Sequence, residues 1–425
     1  MVVRSWLALL VAHSATVAAL SIATAPARSV VAPTTHSSSH DGGAVPPLPL
    51  LSTPPTSLRE HFGWAEDVQR DRAKLVWGAL RKGIDVLDDA EAAQTKYLSP
   101  RLLRELKPAC ADVAAVATLT EAVTSSDGTQ KLLLTMRDGL SVECVLIPIS
   151  DRHTSLCVSS QVGCSRACAF CSTGTMGLVR SLTTEEILVQ VWHAQRRVRE
   201  QRLPQLVNVV FMGMGEPLNN LPAVSAAVDM LVDQSAFAMS RRNVCVSTVG
   251  PSPRLIAQAG RLPCKLAWSV HAADDALRRQ LVPTTRHTMA ELRDAFVAAL
   301  AAKPGGDKTR ALLVECALMR GVNDQPEHAA ALVGLLRPLG RGAVLANLIP
   351  YNENGLGLPG GALFQSARME DVRAYQRALW DAGLLCTVRV QRGDDARGAC
   401  GQLATEAQAK GKEKKTRAAR EGATA

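Results

Sequence analysis

The chain has 425 residues, 47% of them hydrophobic and 20% charged, which is ordinary for a globular protein with a sizeable core. Its 11 cysteines are an odd number in a long chain, which argues against a fully paired disulfide scaffold. A net charge of +9 favours a polyanionic partner such as nucleic acid, without speaking to the fold.

In chain order, the first forty residues carry no Asp or Glu. An apolar run from Trp6 to about Ala25 precedes a stretch rich in Ser, Thr and Pro, which reads as a removable targeting segment. A membrane anchor is the alternative, although the run carries His13 and several hydroxyl residues. "GGAVPPLPLLSTPPTS" (42–57) follows and is expected to be an extended or disordered linker, closing a first region at residue 57.

Residues 58–107 read as mostly helical. "QKLLLTMRDGLSVECVLIP" (130–148) reads as a β-hairpin turning on "RDG". Residues 58–145 are taken as a small N-terminal helical-plus-hairpin accessory domain. Apolar strand candidates then alternate with helix candidates: "SLCVSS", "LVNVVFMG", "NVCVST", "KLAWSV", "ALLVECAL" and "AVLANLIP". Thr183 and Glu186 make a capping box for the first of these helices. Apolar strands in β–α units imply a parallel sheet covered by helices. Six units are too few for a closed eightfold barrel, so the fold class is α/β, a partial (β/α)6 barrel over residues 146–404. The basic tail, 405–425, is expected to be disordered.

"GCSRACAFCSTG" (163–174) places Cys164, Cys168 and Cys171 within eight residues, directly after the first strand candidate of the barrel. In a β/α barrel the chemistry sits at the carboxyl ends of the strands. Three thiolates at this spacing can hold three irons of a [4Fe–4S] cluster, leaving one iron open for a ligand. Structural zinc is the alternative, but it takes four ligands and no fourth Cys or His follows nearby. The remaining thiols Cys110, Cys245, Cys264, Cys316 and Cys386 read as small core hydrophobes.

Other strand ends carry polar groups. "FMGMGEP" (211–217) joins two glycines to an acid, which lets backbone approach a ligand. "VSTVG" (246–250) and "WSVH" (268–271) bring hydroxyl and imidazole groups to the same rim. Each is weak alone; together they mark a site.

The cysteine spacing resembles the signature of radical S-adenosylmethionine (SAM) enzymes. With "SSDGT", "VECVLIP", "LCVSSQVGC", "LTTEEI", "GMGEP", "GVND", "NLIPYN", "RGDD" and "ACGQLA", the chain resembles the RlmN-type dual-specificity methyltransferases. The resemblance runs from about residue 58 to 405. It implies a radical SAM barrel that holds a [4Fe–4S] cluster on Cys164, Cys168 and Cys171. SAM contacts are implied for Gly215, Glu216, Ser247, Ser269, Val270, His271 and Asn352. Cys400 matches the cysteine that becomes S-methylated, Cys157 its resolving partner, and Glu143 a proton acceptor.

The reaction so implied is methylation of C2 of an adenine in 23S rRNA, and in many members of tRNA. C2 is not nucleophilic, so polar transfer from SAM fails. One SAM methylates Cys400, a second is cleaved to a radical, and the resulting carbon radical adds to C2. Attack of Cys157 on the Cys400 sulfur then leaves a transient disulfide. The rivals are a Cfr-type enzyme acting on C8 and, in another class, a metal-stapled RNA-binding protein without catalysis. "GMGEP", "CSTG" and "RGDD" favour C2 over C8, and the two extra cysteines favour an enzyme. The expected partners are 23S rRNA, tRNA and an electron donor of flavodoxin or ferredoxin type. The expected protein is a monomer without stable membrane association. The leader points to an organelle with bacterial-type ribosomes, the plastid stroma first and the mitochondrial matrix second.

Overall fold

The strands of the parallel sheet are written into runs of buried residues. "VCVST" at 244–248 is buried at every position, as expected of a strand covered on both faces. The protein is described here by a computed structural model over residues 46–65, 71–95, 98–303, 309–340, 342–358 and 360–404. The apolar leader up to residue 45 and the basic tail from residue 405 lie outside the described residues. Among the described residues no helix is long and apolar enough to cross a membrane.

The strands are β1 (Ala117–Thr124), β2 (Gln130–Met136), β3 (Ser141–Ser150), β4 (His153–Cys157), β5 (Gln161–Gly163) and β6 (Leu178–Ser181). They continue as β7 (Gln205–Phe211), β8 (Val244–Thr248), β9 (Lys265–Ser269), β10 (Leu312–Leu318), β11 (Val344–Pro350) and β12 (Leu385–Val388). One ten-stranded sheet runs β1-β2-β3-β4-β7-β8-β9-β10-β11-β12. From β4 to β12 all neighbours are parallel. Helices Thr184–Gln201, Leu221–Val232, Pro253–Ala259, Met289–Ala301, Pro326–Leu336 and Met369–Asp381 connect these strands. This is an α/β fold, a partial barrel of six β/α units with β12 as a further short strand. Both capping-box bonds at Thr183 and Glu186 are formed, at 3.2 and 2.8 Å.

The hairpin β2–β3 turns at 137–139, where Gly139 takes φ +81°. Its antiparallel strands extend the parallel sheet through β3–β4, so the expected boundary at 145/146 falls inside β3. The helices and the barrel share one core: Trp77 meets Phe237 edge-on at 5.4 Å, and the Trp192 indole donates to the Ile84 carbonyl at 3.4 Å.

The expectation of a free linker as far as residue 57 is corrected. Leu50 and Leu51 are fully buried, and Leu48 exchanges backbone bonds of 2.8 Å with Ala109 and Ala111. The prolines suppress regular structure, but the leucines between them bury enough apolar surface to dock the segment. A helix already starts at Pro55.

Candidate functional site

Because β4 and β7 to β12 run in one direction, their carboxyl ends form a single rim. A cleft of about 880 Å3, including its open mouth, lies there. Its wall brings together Cys164, Cys168, Cys171, Gly215, Glu216, Ser247, Ser269, His271 and Cys400.

The cluster loop lies between β5 and β6, a two-stranded ribbon that sequence reading missed. Backbone bonds shape it, and one of them uses a sulfur: the Arg166 amide donates to the Cys164 Sγ at 3.4 Å. The Cys164 amide donates to the Gly177 carbonyl at 3.0 Å, Ala169 to Leu281 at 2.9 Å, and Cys171 to Cys168 at 3.1 Å. Cys171 then caps the short helix Ser172–Met176. Burial pushes the Cys164 thiol up to about 12 and raises Cys168 and Cys171 as well. A bound metal centre reverses that preference, since a coordinating thiol is deprotonated outright.

These residues fit a [4Fe–4S] cluster. Among the described residues no three Cys, His, Asp or Glu side chains close on a single metal ion. Zinc needs its sulfurs about 2.3 Å from one point, whereas in a cube each cysteine binds a different iron and the ring is wider.

The loop expected to face SAM follows β7. Gly215 has φ +100°, and a Cβ there would lie 2.6 Å from the Gln161 Cβ and 2.9 Å from its backbone nitrogen. The same Gln161 accepts from the Glu216 amide at 2.9 Å. The Glu216 carboxylate is buried and accepts from the amides of Leu218 and Val249, both at 3.0 Å. It thus ties the end of β7 to the end of β8, while burial raises its pKa. Gly215→Ala is expected to displace this loop and weaken SAM binding at least about tenfold, the size of one strained backbone position. Calorimetry on the cluster-loaded protein measures it, and an unchanged Kd would count against the placement.

Ser247 and Ser269 share a hydrogen bond of 3.1 Å across the ends of β8 and β9. His271 sits in the left-handed region at φ +55°, and its ring meets Phe170 at a tilt of 57° with centroids 4.5 Å apart. Burial, with Arg278 adding to it, drops its pKa to about 3, so the ring is neutral. Its Nδ1 accepts from the Ala317 amide at 3.1 Å, which places the proton on Nε2.

Two further expected SAM contacts, Val270 and Asn352, are buried. Val270 is fully buried, its amide given to the Glu315 carbonyl at 2.9 Å and its own carbonyl taken by Arg278. Asn352 donates to the Cys400 carbonyl at 3.0 Å. It holds the Cys400 segment.

That segment is tied into the cluster loop. The Ser172 amide donates to the Gly401 carbonyl at 2.8 Å, and the Thr173 hydroxyl to the Leu403 carbonyl at 2.7 Å. As a residue Cys400 is exposed, with its thiol set into the cleft wall, whereas Cys157, at the end of β4, is buried. Both are free thiols. Burial raises both, Cys157 to about 12, and the Arg389 guanidinium opposes burial at each. Arg389 also faces Glu315, whose buried carboxylate accepts from Asn347 at 3.0 Å. Neither residue was picked out from the sequence: Glu315 lies inside an apolar strand run, and a charge just past a strand, as Arg389 is, looks like surface charge.

Glu143 lines a second, more polar cleft with Lys131, Ser172, Asn354, Arg397 and Gln402. Its carboxylate pairs with Lys131 at 3.1 Å and accepts from the Ala404 amide at 2.8 Å. Burial raises its pKa, and Lys131 opposes that shift. The "RGDD" loop grips the 125–129 turn: Asp395 accepts from the Ser125 hydroxyl and from the Ser126 amide, the latter at 2.9 Å.

The radical SAM superfamily matches residues 158–333, the stretch that contains the cluster loop and the rim from β7 to β10. Fold and site together define a radical SAM enzyme. Relatives extend further. The dual-specificity RNA methyltransferase RlmN of Phenylobacterium zucineum is 41% identical over 72% of this chain and 78% of its own length. That of Marinobacter nauticus is 39% identical over 85% of this chain and 94% of its own. A solved radical SAM methyltransferase from Sphaerobacter thermophilus is 36% identical, covers 84% of this chain and 99% of its own, and superposes with a TM-score of 0.69. The chain belongs to the RlmN family of radical SAM methyltransferases.

Proposed function

We propose that this protein methylates C2 of an adenine in 23S rRNA, and an adenine in tRNA as a second substrate. The observation that carries the reading is the pair of free thiols Cys400 and Cys157, which face a common arginine beside a cleft lined by three further cysteines. A methyltransferase using SAM alone has no need of such a pair.

When bound, the cluster and SAM supply a methyl group and, by one-electron cleavage, a hydrogen-abstracting radical. Cys400, on the wall of the cleft, takes the methyl group on sulfur and, once that group has given up a hydrogen atom, bonds its carbon to C2. Glu143, which lines the second cleft, accepts the proton that C2 must lose, and the adduct passes its odd electron to a one-electron acceptor. Cys157 then attacks the Cys400 sulfur and breaks its bond to the new carbon, which takes up a proton to become the methyl group of the base, leaving the two sulfurs as a disulfide. A dithiol reductant restores them, and a flavodoxin- or ferredoxin-type donor supplies the cluster electron. The acid-poor leader supports action in an organelle, the plastid before the mitochondrion.

Mass spectrometry of nucleosides from 23S rRNA tests the reading, in a methylase-deficient bacterial host complemented with residues 46–425. The expected product is 2-methyladenosine. Appearance of 8-methyladenosine would transfer the chain to the Cfr-type reaction. Neither product, from a protein that carries iron and sulfide, would remove the RNA assignment.

A further inference from the structure

Arg278 lies in the short helix Asp275–Leu281, behind the wall of the SAM cleft, and is wholly buried. Buried guanidinium groups are ordinarily paired with an anion. Here the hydrogen bonds go to neutral carbonyls: Val270 at 2.5 Å and Val249 at 2.8 Å. Its Nε is buried without a partner among the described residues.

The acidic groups that Arg278 faces are Cys168, Cys316 and Glu216. The Glu216 oxygens are engaged by two backbone amides. Cys316 is a buried strand thiol with no metal-binding neighbour, so it stays protonated. Cys168 belongs to the cluster loop. Leu277 and Leu281, either side of Arg278, pack with Cys168 and Phe170 in one apolar cluster. The Leu281 carbonyl accepts the Ala169 amide at 2.9 Å. The helix that carries the unpaired cation is therefore bolted to the loop that carries the thiolates.

We propose that Arg278 is the buried counter-cation of the cluster loop, and that its charge raises the potential at which a cluster on Cys164, Cys168 and Cys171 accepts an electron. This rests on the cluster reading of those cysteines. Three thiolates outweigh the charge of an oxidised cube by one unit, and the incoming electron adds a second negative charge. A fixed positive charge stabilises the more negative state more, and in a water-poor interior its field is little screened. Arginine suits the position because its planar fork spans two carbonyls and it stays charged when buried. Arg166, within the loop itself, is half-buried and its Nε too is buried without a partner among the described residues, so its charge adds to that of Arg278. Arg278 does not line the cleft; it acts through the cluster without touching SAM.

The test is a potentiometric titration of the reconstituted full chain with dithionite as electron donor, followed by electron paramagnetic resonance. Arg278→Gln is expected to lower the midpoint by at least about 59 mV, a tenfold shift in a one-electron equilibrium. Arg278→Lys keeps the charge and is expected to stay within that margin of the wild type. A Gln variant that holds its cluster at the wild-type potential overturns the proposal. So does an equal fall in both variants, which would assign the effect to hydrogen bonding. If the Gln variant takes up no iron, the Lys variant decides alone, and a fall beyond the same margin overturns the charge effect. Failure of the wild type itself to take up iron and sulfide would instead overturn the cluster reading on which the proposal stands.

Discussion

Cys400→Ala is expected to abolish methyl transfer to RNA, by at least about a thousandfold, the scale on which loss of a covalent nucleophile is felt. Iron content, SAM binding and fold should be unchanged. The Cys400 segment is held through main-chain atoms, its carbonyl by Asn352 and the next two ties by Gly401 and Leu403. Removing the sulfur therefore leaves the loop in place. Cys157→Ala should give a different outcome. Its neighbour can still be methylated and can still bond to the base, but nothing remains to release the product. The expected result is a covalent protein–RNA species, seen as a retarded band on a denaturing gel that ribonuclease removes. If Cys400→Ala retained methylation, or if both variants behaved alike, the division of labour between the two thiols would fall.

Much of the fold could be read from the sequence because its signals are local or repeated. The hairpin at 130–148 announced itself by two apolar runs around "RDG", and the helix after Thr183 by its capping box. Six buried parallel strands were visible as short apolar runs. What escaped depended on burial that sequence does not reveal. Leu50 and Leu51 hide in a proline-rich stretch that reads as linker, and β5, β6 and β12 are too short to show a pattern. For the site, spacing alone brought out the three cysteines, and resemblance added the positions of Cys157, Cys400 and Glu143. Resemblance gave positions but no partners: only the structure shows that Asn352 donates to the Cys400 carbonyl and that Val270 is fully buried. Arg278, Glu315 and Arg389 were missed for one reason. A buried charge and a solvated charge are the same letter, and only the surrounding fold distinguishes them.

Cys168→Ala is expected to reduce iron from about four atoms per chain to background, and to remove the visible absorption of the cluster with it. The chain should still fold. The loop around Cys168 is shaped by main-chain bonds to Gly177, Leu281 and its own residues, none of which needs the sulfur. The lost side chain is small, so the cost to the cluster-free protein is about 1 kcal/mol, or a fall in Tm of no more than about 4 °C. Circular dichroism and melting of the cluster-free proteins, beside iron and sulfide analysis, separate the two effects. Loss of iron with the fold retained would mean that the polypeptide builds the cradle first and the cluster only fills it. Loss of both would mean that the cluster itself organises the rim. The first outcome is favoured by the packing behind the loop, where Cys168 and Phe170 rest on Leu281, Val282 and Tyr351 in a closed apolar cluster. Those contacts are made by the side chains themselves, so the loop has apolar anchors of its own, and the thiol protons must leave when the cluster enters.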